Sequence, residues 1–105
     1  MKVHRVTIPI YDIYLYFTFD RLSLNKRFGI EADSVGHTEQ GDGFVVVYID
    51  KDDYNINYLA HESIHAAWFA LDSVGVDVTI YNHESLAYLS GWIAEEIHKR
   101  FLKEC

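Results

Sequence analysis

The sequence predicts an α+β domain: a small antiparallel or mixed sheet on one side and two long helices on the other. Three observations carry this expectation. Phe44 to Ile49, FVVVYI, is an unbroken β-branched and aromatic run. IYLYFTF, from Ile13, alternates Ile13, Leu15, Phe17 and Phe19 against Tyr14, Tyr16 and Thr18. The second half of the chain holds two long stretches with helical spacing. The coarse order is β-α-β-β-α-α, which suits a sheet covered by helices.

Each element has a local cause. Residues 3–19 read as β, with Pro9 marking an edge, a bulge or a break. In DRLSLNKRFG, Asp20 is an N-cap candidate and Gly29 a stop, giving a short helix over residues 21–28. SVGHTEQGDGFVVVYID reads as a hairpin turning at Gly41-Asp42-Gly43. Residues 50–57 offer several capping side chains before a helix that ends at Gly75. VDVTIY, residues 76–81, is a short strand or an extended loop. Asn82 is then the expected cap of a final helix with Glu84 in its first turn and Lys99, Arg100 and Lys103 near its end, a charge order that suits the helix dipole.

Composition bounds the rest. At 105 residues the chain is one domain, residues 1–105, with a single modest core. Half the residues are hydrophobic, and eight Tyr and six Phe argue against disorder. A net charge of −7 argues against nucleic acid as a partner, since phosphate calls for a basic surface. MKVHRVTIPIYD has no uninterrupted apolar run after its first charge, so no signal peptide is expected. No segment reaches the roughly 18 apolar residues of a membrane span. The single cysteine, Cys105, allows no intrachain disulfide, and the expected compartment is the reducing cytoplasm.

The chemistry is concentrated in LAHESIHAAW, residues 59–68. His61 and His65 are one turn apart, about 40° around the axis and about 5.4 Å along it, so two imidazoles can converge on one tetrahedral ion. Glu62 is rotated about 100° from His61: poor as a ligand, well placed as a base toward water at the metal. The spacing therefore separates ligands from base and points to zinc. The bland alternative is a pair of solvated helix histidines. Small neighbours Ala66, Ala67 and Ala70 favour close packing of this helix.

A catalytic zinc needs a third protein ligand. In YNHESLAY the candidate is Glu84, with His83 as rival, turned about 100° away. Tyr88, Gly91 and Glu95 share the Glu84 face, and Gly91 suggests that this face packs against the motif helix. Tyr81, His83 and Tyr88 are the candidates for stabilising a transition-state oxyanion.

With these residues in view, the chain resembles the gluzincin, thermolysin-like branch of zinc metallopeptidases. The resemblance rests on His61-Glu62-Ser63-Ile64-His65 and on Asn82-His83-Glu84-Ser85, and covers about residues 44–98. It implies a minimal zincin-like fold. His61, His65 and Glu84 become zinc ligands, Glu62 the general base, and Phe44 to Ile49 the strand along which a peptide substrate lies. The size resembles minimal gluzincin-like proteins, including small phage or prophage products. Two departures stand out. His83 is inserted between the asparagine and the glutamate, and Tyr88 stands where the family often has an acid that orients a histidine. The expected function is zinc-dependent peptide hydrolysis on a peptide or protein substrate. The alternative is a non-catalytic protein-binding module on the same scaffold, such as a phage protein acting on a host factor.

Overall fold

The computed structural model describes residues 2–105 and is α+β. In chain order it contains β1 (His4–Ile8), β2 (Ile13–Thr18), α1 (Arg21–Phe28), β3 (Gly36–Gln40), β4 (Phe44–Ile49), α2 (Ile56–Ser73) and α3 (Glu84–Glu104). The four strands form one mixed sheet in the order β1-β2-β4-β3. β1 and β2 are antiparallel, β2 and β4 parallel, and β3 and β4 antiparallel.

The single strand expected over residues 3–19 is a hairpin instead. Its turn is a γ-turn: Tyr11 N–H donates to the Pro9 carbonyl at 2.8 Å, with Ile10 at φ 74°. Proline has no N–H for a ladder, so the break falls where Pro9 marked one. The β3–β4 hairpin follows the expected turn, and α1 takes the expected bounds. Asp20 accepts from Ser23 N–H at its start, and Gly29 sits in the left-handed region at φ 68° at its end.

β4 is apolar throughout because both of its faces are covered. Val45, Val47 and Ile49 join Leu15 and Phe17 in the main core, under Leu59, Ala66, Ala67, Ala70 and Leu71 of α2 and Leu89, Ile93 and Ile97 of α3. Val46 and Tyr48 point the other way and meet Leu24, Ile30 and Ala32 around α1. The helices thus lie on both sides of the sheet, with the two long ones together. At the start of α2, Tyr54 stacks on Phe101 with ring centroids 3.6 Å apart, and its hydroxyl meets His98 Nδ1 at 2.7 Å. This clasp joins the start of α2 to the end of α3, so the two run antiparallel. Burial pushes the Tyr54 phenol up to about 12.

Of the two alternatives for residues 76–81 the structure takes the loop, with only an isolated bridge of Thr79 with Asn82, and two other local expectations change. Asn82 does not cap α3. Its side-chain amide donates to the Asp77 carbonyl at 2.8 Å within the connecting loop, and His83 takes the cap position without a side-chain bond. The packed face of α3 is Leu89, Ile93 and Ile97, with Leu86 and Phe101 beside it, whereas Glu84, Tyr88, Gly91 and Glu95 face solvent. A Cβ at Gly91 would meet nothing within 4 Å, so no close approach requires that glycine. A continuous aliphatic stripe outweighs one glycine in choosing the buried face. No helix among the described residues is long and apolar enough to cross a membrane.

Candidate functional site

α2 presents its histidines outward. His61 and His65 are exposed, and their Nε2 atoms stand 3.3 Å apart. Two nitrogens bound to one zinc at about 2.0–2.1 Å with a tetrahedral angle are separated by about 3.3–3.4 Å. The pair therefore already has the spacing that a shared zinc requires. Without a metal, the same distance accommodates one ring N–H donating to the other ring nitrogen. The His65 ring also lies near-parallel to Phe69, with centroids 6.3 Å apart.

Glu62 behaves differently from its neighbours. One step around the helix from His61, it turns toward the sheet and is only 6 % exposed. Thr38 of β3 donates its hydroxyl to Glu62 Oε1 at 2.5 Å and lies 3.4 Å from the Glu62 carbonyl oxygen. This hydrogen bond orients the Glu62 side chain. Gly36 sits directly against the other oxygen, since a Cβ there would fall 2.7 Å from Oε2. These groups open on a cleft of about 260 Å³ bordered by Gly36, Thr38, His61, Glu62, His65 and Phe69. His37 also borders it, and its Nε2 meets Glu39 Oε1 at 3.2 Å.

SVGHTEQ reads in the sequence as a hairpin arm, and Gly36 and Thr38 are not among its candidate residues. The available sign was a glycine inside a strand pattern, which often marks a close approach by another group. A double-mutant cycle checks that approach. Gly36→Ala is expected to cost about 1–2 kcal/mol in denaturant unfolding, because the added methyl overpacks against Glu62. In a Glu62→Ala background the same substitution is expected to cost about nothing.

The remaining candidates lie elsewhere. Glu84 and Tyr88 border a second cleft with Ile10, Tyr11 and Trp92, and His83 is exposed at the start of α3. Tyr81 is almost wholly exposed in the preceding loop. The structure thus brings together His61, Glu62 and His65 and leaves Glu84, His83 and Tyr88 apart from them. Among the described residues no three His, Cys, Asp or Glu side chains are gathered as a metal site. β4 is hydrogen-bonded on both sides and has no free edge for a peptide; the free edge beside the histidines belongs to β3. Comparison of the chain with protein-family models, with curated proteins and with solved structures returned no match.

Proposed function

We propose that the protein is a zinc-dependent peptidase whose working cleft lies between α2 and the edge strand β3. The observation that carries this reading is the 3.3 Å separation of the His61 and His65 Nε2 atoms beside the Glu62 carboxylate. His61 and His65 would hold the metal through their Nε2 atoms, and zinc held there would acidify a water and polarise a carbonyl. Glu62 takes the proton of the attacking water and passes it to the leaving amine, with Thr38 keeping the carboxylate aimed while it does so. A substrate adding to the free edge of β3 uses that strand's unpaired backbone groups, which sets its peptide bonds beside Glu62. The proposed setting is the cytoplasm, where Cys105 stays reduced.

The third ligand separates this reading from a second one. Glu84, which the resemblance makes a ligand, borders the other cleft, and that placement favours a non-catalytic module built on the same scaffold. The peptidase reading needs Glu84 to join the histidines on metal loading, through movement of the loop over residues 74–83. Glu84→Ala is therefore expected to lower zinc affinity at least about tenfold in a titration against a competing chelator. Unchanged affinity, together with no chelator-sensitive hydrolysis of a peptide library, would replace the peptidase with the module.

A further inference from the structure

The second cleft, about 280 Å³, lies between the β1–β2 turn and the first turns of α3. Its lining includes Tyr11, Tyr88 and Trp92 together with Glu84 and the exposed Ile10. Among the described residues no lysine, arginine or histidine borders it. Elsewhere three tyrosine rings carry the chain's own cations. Arg5 lies over Tyr14 at 4.9 Å, Arg27 over Tyr16 at 5.3 Å and Arg21 over Tyr48 at 5.9 Å. Among the described residues, the rings of this cleft have no such cover, and Glu84 forms no ion pair. Aromatic faces around an unpaired carboxylate attract an organic cation. The Glu84 charge also exceeds the opposing half-charge of the α3 N-terminus.

The lip is built at a conformational cost. Ile10 is β-branched yet sits at φ 74° in the γ-turn, where its side chain is 89 % exposed. Burial does not repay that strain, and strained residues cluster at binding sites. Tyr88, 70 % exposed, extends the apolar surface beyond the cleft, which suits a macromolecular ligand better than a small ion.

We infer that this cleft binds a lysine or arginine side chain presented by a partner protein. The site shares Glu84 with the zinc reading and is described for the metal-free protein, so binding is measured with chelator present and failure of either leaves the other standing. In a Trp68→Phe background Trp92 is the sole tryptophan, and its fluorescence reports the cleft. The probes are a nine-residue peptide with a central arginine flanked by leucines, its glutamine counterpart, and arginine amide alone. The arginine peptide is expected to bind at least tenfold more tightly than the glutamine peptide and than arginine amide. Glu84→Gln and the exposed Tyr88→Ala are each expected to raise its Kd at least fivefold, with unfolding midpoints confirming that both variants fold. Equal binding of the two peptides, no saturable binding, or an unchanged Kd in both variants would overturn the site. Arginine amide binding as tightly as the peptide would overturn the protein partner and assign the cleft to a small cation.

Discussion

Purified protein carrying both His61→Ala and His65→Ala is expected to bind no stoichiometric zinc, against about one ion per chain for the unaltered protein. Loss of partners that merely orient a ligand costs roughly 10–100-fold in metal affinity, so removal of two ligands should exceed about 100-fold. The variant should still fold, because both rings are exposed and the main core beneath them consists of Leu59, Ala66, Ala67, Ala70 and Leu71 on the opposite side of α2. Folding stability supplies a second readout. Zinc at one hundred times its Kd should raise unfolding free energy by about 2.7 kcal/mol in the unaltered protein and by nothing in the variant. Elemental analysis of untagged protein, paired with a thermal shift on zinc addition, measures both. Full occupancy in the double variant would remove the site.

Glu62→Gln is expected to separate binding from chemistry. The amide keeps the size of the carboxylate and can still accept from Thr38, so zinc content should stay near one per chain. It cannot take a proton, and hydrolysis should fall by about 10²–10⁴-fold, the usual contribution of a positioned general base. The fall should appear in kcat rather than in KM, because Glu62 lies under the strand edge and its part comes in the transition state. A peptide cleavage assay of metal-loaded protein at fixed zinc tests this. An unchanged rate would take Glu62 out of the mechanism, and loss of zinc would make it a ligand instead of a base.

The hairpin turn at Gly41–Gly43, the α1 caps and the α2 motif were legible because each is set within a few residues. The same is true of the histidine pair. Four residues on a helix place two side chains on one ridge whatever the rest of the chain does, and the rotamers of the two rings then bring their nitrogens to 3.3 Å. Less local features are not legible in this way. Gly91 and Glu84 suggest one inward face for α3, whereas Leu89, Ile93 and Ile97 decide it by the apolar area they remove from water. Asn82 looked like a cap, but the loop used its amide to hold Asp77. Short polar side chains compete for several backbone partners, and only the folded loop selects one.

What the sequence by itself determined is the α+β class, the helix that carries His61, Glu62 and His65, and the angular separation of the two rings from the carboxylate. The tertiary structure alone decided what meets that helix. Gly36 and Thr38 are more than twenty residues from Glu62 in the chain, and the antiparallel pairing of β3 with β4 brings them against its carboxylate. It also decided that Glu84 borders the aromatic cleft and not the histidines. Helix periodicity fixes directions only about a helix's own axis. How two helices lie against a sheet depends on the summed burial of every apolar side chain between them, a sum that involves residues distant in sequence and that no local pattern contains.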